Sequence, residues 1–272
     1  MKYRKTIGFV GGGNMAEALA GGITGAGIVP PEDILISEPV KERRSSLQRR
    51  FGFSVTSHNG APAAECGTVF LSVKPQILPA VLDEIGPIPG PDQVIISIAA
   101  GVPLSVLKAA FPATPVIRAM PNTPALTGNG ATVIAPGGKV KEGMIAWACR
   151  LFEAVGICLV LPENMMDAVT GLSGSGPAYI FRMAEALTEA GTSLGLPPGD
   201  ASRLVTQTIL GAAMMMTETK MEPAALRERV TSPGGTTQAG LKAMAEAGFE
   251  DAVKKGVLAA AERSKALGKG SV

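Results

Sequence analysis

A glycine-rich turn near the amino end constrains the fold more than any other feature of this chain. The apolar run at residues 6–10 predicts a β-strand, and it leads directly into Gly11-Gly12-Gly13-Asn14-Met15-Ala16 and a helical pattern over residues 15–25. Small residues at the first, third and sixth positions permit a tight bend, close approach of the backbone to a pyrophosphate, and close helix–strand packing. We therefore predict a dinucleotide-binding strand–turn–helix unit; a glycine-rich turn without a ligand is the alternative.

Short β-branched runs alternate with helical patterns up to about residue 160. Strands are predicted at residues 6–10, 34–37, 68–73, 94–98, 115–119 and 131–135, and helices at 15–25, 41–51 and 78–85. Strand–helix–strand alternation implies parallel neighbours joined by right-handed crossovers. We expect an open, mainly parallel α/β sheet over residues 1–162.

The remainder of the chain has helical periodicity and little β pattern. Helices are predicted at residues 178–195, 199–219, 222–229, 236–248 and 250–267. We therefore predict an all-helical domain over residues 163–272. The run Ala212-Ala213-Met214-Met215-Met216 is too apolar for an ordinary surface helix, so it belongs either to the core or to a subunit interface. We expect at least a dimer.

Composition and charge exclude several classes of protein. The formal net charge is +2 with no long run of Lys or Arg, which argues against a nucleic-acid partner. No apolar stretch is long enough to cross a membrane, and residues 1–5 do not lead into a signal peptide. Cys66, Cys149 and Cys158 lack metal or redox spacing, and His58 is the single histidine. We expect no metal site and a cytoplasmic location.

The cofactor preference depends on the residues that follow the second predicted strand. Glu38 ends this strand, and a carboxylate here favours NADH by bonding the adenosine ribose hydroxyls. Lys41, Arg43 and Arg44 follow closely and would instead favour the 2′-phosphate of NADPH. The balance of these signals slightly favours NADH, and both NADPH and NADH stay open as cofactors.

Two further segments carry chemistry. Lys74 follows the predicted strand 68–73 and would lie at the carboxyl edge of the sheet, either as a proton-transfer group or as part of a turn. The segment Thr231-Ser232-Pro233-Gly234-Gly235-Thr236-Thr237 precedes a predicted helix. Open amides and hydroxyls beside a positive helix end fit a substrate carboxylate, although a capped turn would have the same composition.

Several blocks of the chain together resemble the pyrroline-5-carboxylate reductase family. These are Gly8-Phe9-Val10-Gly11-Gly12-Gly13-Asn14-Met15, Val73-Lys74-Pro75, Ser97-Ile98-Ala99-Ala100-Gly101-Val102, Arg118-Ala119-Met120-Pro121-Asn122-Thr123-Pro124, Gly174-Ser175-Gly176-Pro177-Ala178-Tyr179 and Ser232-Pro233-Gly234-Gly235-Thr236-Thr237. They follow the family's order over nearly the whole chain. The resemblance implies NADPH- or NADH-dependent reduction of L-1-pyrroline-5-carboxylate to L-proline.

The resemblance also implies an architecture and an assembly. A Rossmann domain, with its doubly wound sheet, is followed by an all-α dimerisation domain that intertwines with a second subunit. The resemblance implies a homodimer, and such dimers commonly assemble into decamers of five dimers. Each active site is expected between the Rossmann domain of one subunit and the helical domain of its partner.

The motif positions imply a set of site residues. The cofactor is expected to contact Gly8, Val10, Gly11, Gly12, Gly13, Asn14, Met15, Glu38, Asn59, Ser72, Val73, Lys74, Pro75, Ala99, Ala100, Gly101 and Asn122. The substrate is expected to contact Glu163, Ser232, Gly234, Gly235, Thr236 and Thr237. Within this set, Thr237 is the expected catalytic residue, because it would hydrogen-bond the imine nitrogen.

Two other functions are consistent with parts of the sequence. A β-hydroxyacid dehydrogenase would share the layout, but it would use a lysine on a long helix of the second domain, and no such glycine-flanked lysine is evident. A non-catalytic dinucleotide sensor would have no reason to keep the hydroxyl groups of residues 232–237.

Overall fold

The computed structural model describes residues 5–269, and the chain forms two compact units. The first unit comprises residues 1–175 and 258–272, and the second comprises residues 176–257. Residues 1–4, where we predict no signal peptide, and residues 270–272 lie outside the described part.

Within residues 5–269, the first unit is built on one sheet of eight strands. They are β1 (Lys5–Val10), β2 (Ile34–Ser37), β3 (Ser54–Thr56), β4 (Cys66–Leu71), β5 (Val94–Ser97), β6 (Val116–Met120), β7 (Gly130–Pro136) and β8 (Gly156–Val160). Their spatial order is β3-β2-β1-β4-β5-β6-β7-β8. The order reverses between β1 and β4, as in doubly wound nucleotide-binding sheets. The predicted mainly parallel Rossmann sheet is confirmed.

One neighbouring pair departs from parallel pairing. β6 and β7 are antiparallel, with Met120 opposite Val133, whereas the other neighbours run parallel. The connection between Met120 and Gly130 is too short for a crossover, which needs about a dozen residues. The chain therefore turns back directly after β6.

Seven helices between residues 5 and 175 cover both faces of the sheet. They are α1 (Asn14–Gly25), α2 (Lys41–Phe51), α3 (Gly60–Glu65), α4 (Leu78–Ile85), α5 (Leu104–Ala110), α6 (Glu142–Glu153) and α7 (Met166–Val169), counted over the described residues. On one face Leu19 and Phe152 pack near Phe9 and Phe70, whose rings stack at 4.7 Å. On the other face, residues of α3, α4 and α5 form the second core cluster. Burial of these apolar faces fixes the strand ends that carry the candidate site.

The second unit is helical, as predicted. It contains α8 (Gly176–Ser193), α9 (Pro198–Thr219), α10 (Pro223–Arg229), α11 (Thr236–Glu246) and the first part of α12 (Phe249–Lys269). Met214, Met215 and Met216 are each nearly half exposed in the single chain. Of the two predicted alternatives for this run, their exposure favours a subunit interface over core packing.

The part of the chain that the structure describes contains no helix with the length and apolarity needed to cross a membrane. The same residues contain no group of three His, Cys, Asp or Glu side chains that could hold a metal ion.

We predict that Gly156→Ala strongly destabilises the first unit. Gly156 has φ +151° and pairs with Gly130 of β7, and a Cβ on Gly156 would overlap the carbonyl oxygen of Gly130. We expect a loss of about 3 kcal/mol, which corresponds to a melting temperature lower by roughly 6–12 °C. Differential scanning fluorimetry measures this shift.

Gly143→Ala is the matched control, because Gly143 lies in helix α6 and a Cβ there would meet open space. We expect its melting temperature to stay unchanged or to rise slightly. Equal melting temperatures for the two variants would contradict the steric account of Gly156.

Candidate active site

The glycine turn after β1 bends where no side chain fits. Gly11 has φ +100°, and a Cβ on it would lie 2.8 Å from the carbonyl oxygen of Ser72, which follows β4. The Gly11 N–H donates to the Ser37 carbonyl at the end of β2. The turn therefore lies where β1, β2 and β4 end side by side, at the point where the strand order reverses.

Gly13 leaves space open at the start of α1. A Cβ on Gly13 would have no neighbour within 4 Å, and the residue is exposed. The first helical bond of α1 runs from the Glu17 N–H to the Gly13 carbonyl, so the preceding N–H groups, including those of Asn14 and Met15, have no helical partner. An open backbone with free N–H groups fits a pyrophosphate.

Close packing explains the other small residues of the motif. A Cβ on Gly8 would lie 2.8 Å from Pro62 Cβ of α3, and one on Gly12 would lie 3.0 Å from Glu38 Cβ. Ala16 is fully buried between α1 and the sheet. Val10, the residue before the turn, is also fully buried and packs in the core on the other face of the sheet.

The segment after β4 is fastened to the glycine turn. The Ser72 hydroxyl donates to the carbonyl oxygen of Gly11 at 2.7 Å and to that of Val10 at 3.0 Å. Val73 and Pro75 are partly buried, whereas Lys74 is exposed and its carbonyl accepts the Ile77 N–H in a turn. Residues 72–75 thus lie beside residues 11–13, and their contact with the cofactor stays a prediction.

Glu38 faces the glycine turn with both carboxylate oxygens engaged. One oxygen accepts the Gly12 N–H at 3.1 Å, and the other accepts the Val40 N–H at 3.0 Å. These two bonds fix a negative charge at the end of β2. This is the position that an adenosine ribose occupies in Rossmann domains.

The arginines near Glu38 bind other groups of the chain. Arg43 donates through Nε to the Gly12 carbonyl at 2.7 Å and pairs through Nη2 with Glu17 at 2.6 Å. Arg44 donates to the Glu38 carbonyl at 2.6 Å and to the Pro39 carbonyl at 2.8 Å. Both side chains therefore brace the loop around Glu38.

Asn59, a predicted cofactor contact, lies beside the end of β2. Its Oδ1 accepts the Ser37 hydroxyl at 2.9 Å, and its Nδ2 donates to Glu84 at 2.8 Å. The neighbouring His58 is exposed, and its backbone N–H donates to the Thr56 hydroxyl.

The loop after β5 belongs to the same edge of the sheet. Ala99 and Gly101 are buried and Ala100 is partly buried, and Gly101 has φ +76°. Asn122, which follows β6, uses its side chain within the protein: Nδ2 donates to the Ser173 carbonyl and Oδ1 accepts the Ala131 N–H.

None of the three cysteines forms a disulfide bond, and Cys66 is buried. Burial raises the pKa of the Cys158 thiol well above its usual range, and a hydrogen bond with Cys149 raises it further. Cys158 therefore stays protonated near neutral pH.

The candidate substrate segment lies in the second unit, at the amino end of α11. Gly234 has φ +72°, and its N–H donates to the Gln238 side chain at 2.7 Å. Gly235 is the N-cap, and a Cβ on it would collide with the Ser232 hydroxyl. The first helical bond runs from the Ala239 N–H, so the N–H groups of Thr236 and Thr237 have no helical partner. The segment presents amides and hydroxyls together.

Glu163 lies in the first unit, and its partners there were not predicted from the sequence. Its Oε1 accepts the backbone N–H of Leu104 at the start of α5 and lies 3.5 Å from Arg118 Nη1. Arg118 also approaches Asp167, which accepts a hydrogen bond from Ser264. Arg118 begins the segment at residues 118–124 that resembles the family, but no role was predicted for it. Asp167 and Ser264 belong to no motif of the sequence.

The fold and the glycine turn define a dinucleotide-binding oxidoreductase of the Rossmann class. Residues 6–101 match the family model "NADP oxidoreductase coenzyme F420-dependent". Residues 163–267 match the model "Pyrroline-5-carboxylate reductase dimerisation". The chain belongs to the pyrroline-5-carboxylate reductase family, as curated relatives at more than 40% identity also show.

Relatives from bacteria and plants match over nearly the whole chain. The pyrroline-5-carboxylate reductase of Pseudomonas aeruginosa is 45% identical over 263 residues, covering 96% of each chain. The enzyme of Synechocystis is 44% identical, covering 97% of this chain and 98% of the relative. That of Arabidopsis thaliana is 41% identical, covering 96% of this chain and 95% of the relative.

Solved structures of pyrroline-5-carboxylate reductases have the same fold as this chain. A pyrroline-5-carboxylate reductase from Coxiella burnetii superposes with a TM-score of 0.90 at 34% identity, covering 97% of this chain and 98% of the other. The Plasmodium falciparum enzyme, solved with NADP bound, gives 0.88 at 32% identity, covering 98% and 100%. A 3-hydroxyisobutyrate dehydrogenase from Mycobacterium tuberculosis gives 0.53 at 16% identity over 71% and 67% of the chains, which is a likeness of fold alone.

We predict that Gly13→Ala weakens cofactor binding without unfolding the protein. The added methyl group would occupy the open space beside the free N–H groups of α1. We expect the NADH dissociation constant to rise about tenfold, which is about 1.4 kcal/mol. Titration followed by nicotinamide fluorescence measures the constant, and fluorimetry of the unligated protein checks the fold. Unchanged NADH affinity would contradict the assignment.

Proposed function

We propose that this chain catalyses the NAD(P)H-dependent reduction of L-1-pyrroline-5-carboxylate to L-proline, the final step of proline biosynthesis. The observation that carries the proposal is the segment at residues 232–237, whose hydroxyls and amides gather at the start of α11. It occurs in a chain that also has the glycine turn of a dinucleotide site and belongs to this reductase family.

The two reactants need different groups from the protein. Bound NAD(P)H supplies a hydride. The turn at Gly11 to Gly13 and the segment at residues 72–75, which the Ser72 hydroxyl joins, would hold and orient the dinucleotide by backbone contacts. A protonated imine accepts a hydride readily, so the remaining task of the chain is to orient the imine and to hold its proton.

The substrate carboxylate requires donors, and α11 begins with them. The Thr236 N–H and the Ser232 hydroxyl lie at the amino end of an 11-residue helix, which favours a negative charge. The Gly235 N–H, the third proposed donor, donates to the Ser232 carbonyl at 3.0 Å in this structure and would share or exchange that bond for the carboxylate. Gly234, held by Gln238, keeps the turn open with a backbone conformation that other residues rarely adopt. These groups form the proposed carboxylate site.

Thr237 is the proposed catalytic residue. It occupies the second position of α11, is partly buried, and carries a hydroxyl that can both donate and accept. Its hydroxyl would bond the imine nitrogen and keep the proton there while the carbon accepts the hydride. Glu163 is a further proposed contact of the substrate ring, because it matches an acid that the family places near that ring, and 36% of its side chain is exposed.

The proposed functional domains are residues 1–162 for the cofactor and 163–272 for dimerisation and substrate binding. The dimerisation model matches from residue 163, and exposed apolar side chains such as Phe181 and Leu204 lie on the helices of the second unit.

We propose a homodimer that assembles further into a decamer of five dimers, and light scattering of the purified protein distinguishes the two masses. The three cysteines are odd in number and lack metal or redox spacing, which supports a reducing, cytoplasmic location.

We predict that Thr237→Ala abolishes most turnover while cofactor binding persists. Loss of the hydroxyl removes the hydrogen bond to the imine nitrogen, so kcat/KM should fall about 10²- to 10³-fold. The assay follows NADH and NADPH oxidation with and without racemic pyrroline-5-carboxylate, and fluorescence titration follows NADH binding.

Two variants control this prediction. Thr237→Ser retains the hydroxyl and should recover most of the activity. Thr208→Ala removes an exposed threonine of α9 whose hydroxyl bonds Leu204, and it should behave as the wild type. Full activity of Thr237→Ala would remove Thr237 from the mechanism, and no imine-dependent oxidation by the wild type would sink the proposed function.

We propose that Glu38 favours NADH, and we predict that Glu38→Gln shifts the preference towards NADPH. The fixed carboxylate repels a 2′-phosphate, and the repulsion between two charges about 5 Å apart is about 3 kcal/mol at an effective dielectric constant of about 20. The NADPH/NADH ratio of kcat/KM should rise at least about tenfold. Glu42→Gln removes an exposed charge from the same helix region and should leave the ratio within about twofold. An unchanged ratio in Glu38→Gln would contradict this role.

A further inference from the structure

A buried arginine holds two carboxylates at the end of β6. Arg118 has 8% of its side chain exposed, and its Nη1 lies 3.5 Å from Glu163 Oε1 while its Nη2 lies 3.8 Å from Asp167 Oδ1. A buried guanidinium without such partners would be strongly destabilising. Arg118 therefore fixes the positions of both acids.

The two carboxylates bind two different elements. Glu163 Oε1 accepts the N–H of Leu104, the first residue of α5, at 2.5 Å. Asp167 Oδ1 accepts the hydroxyl of Ser264 of α12 at 2.7 Å, and Ser264 is 3% exposed. Arg118, Glu163, Asp167 and Ser264, which we term the Arg118 network, thus connect the start of α5 with the last turns of α12.

The loop at residues 99–103 lies between these two elements. It leads directly into α5, whose first N–H Glu163 holds. A Cβ on Gly101 would lie 3.1 Å from Leu267 Cβ and 3.6 Å from the Ser264 carbonyl oxygen. A Cβ on Gly268 would lie 3.0 Å from the Gly101 carbonyl oxygen. The end of α12 therefore contacts the loop whose other end is held by Glu163.

We propose that Arg118 and Ser264 are positioning residues for this loop, which they fix through Glu163 and Asp167. The inference rests on the proposed function and on the prediction that Ala99, Ala100 and Gly101 line the cofactor. Ordering the backbone of one residue in a free loop costs about 1–2 kcal/mol of conformational entropy. A loop that is already fixed therefore loses less conformational entropy when it binds a ligand. Glu163 then affects the reaction by fixing the first residue of α5, and with it the loop at residues 99–103, in addition to any contact with the substrate.

The test is a double-mutant cycle read by cofactor affinity. The NADH dissociation constant is measured by nicotinamide fluorescence, without imine, for the wild type, Ser264→Ala, Glu163→Ala and the double variant. We expect each single change to raise the dissociation constant about fivefold. The double change should raise it by less than the product of the two single effects, because both substitutions interrupt one network. Ser105→Ala, an exposed serine next to Leu104, should stay within about twofold.

Two results would overturn the proposal. An unchanged dissociation constant in Ser264→Ala, with a lowered melting temperature, would mean that the network only stabilises the fold. Strictly multiplicative effects would mean that Ser264 and Glu163 act independently. Imine-dependent NADH oxidation by the wild type is measured separately, so failure of the proposed function is distinguishable from failure of this inference.

Hydrogen exchange tests the proposal if Ser264→Ala does not fold. In the wild type, the Leu104 amide should be protected from exchange. Asp167→Asn keeps an acceptor for Ser264 but loses the charge that faces Arg118, so the exchange of the Leu104 amide should accelerate in this variant. Rapid exchange of Leu104 in the wild type, or unchanged exchange in Asp167→Asn, would contradict the inference.

Discussion

The candidate cofactor site depends on one close approach between two backbones. Gly11 passes the carbonyl of Ser72 at a distance that excludes any Cβ, and the Ser72 hydroxyl then bonds the Gly11 carbonyl. This contact joins the turns after β1 and β4 at the reversal of strand order. Gly13 and the start of α1 come directly after this contact in the chain, and Glu38 accepts the Gly12 N–H beside it.

The sequence predicted those parts of the structure that depend on local pattern. Short β-branched runs identified the inner strands β1, β2, β4, β5, β6 and β7, and the helical periodicity identified the second unit. The edge strands β3 and β8 were not predicted. β3 has three residues, and β8 begins at a glycine and ends where the predicted sheet domain gives way to helices. The antiparallel β6–β7 pair depends on connection length, which strand propensity does not report.

The site was predictable where a motif carries its own chemistry. The glycine turn, Glu38 and residues 232–237 are each contiguous and have a physical reason for their composition. The Arg118 network joins residues as far apart as Asp167 and Ser264, and no spacing in the sequence reports such a contact. Arg43 and Arg44 suggested a phosphate site by charge alone, but their donors bind the Gly12, Glu38 and Pro39 carbonyls.

The first unit is discontinuous in the chain, and this has a consequence for its synthesis. Residues 258–272 complete the unit that begins at the amino terminus, and the second unit is made between them. At about 5–20 residues per second, the ribosome takes several seconds to synthesise the intervening residues 176–257. Throughout that interval Asp167 lacks the Ser264 hydroxyl and the Gly101 loop lacks its neighbour Leu267. A nascent chain therefore completes its nucleotide-binding unit only after translation has reached the last helix.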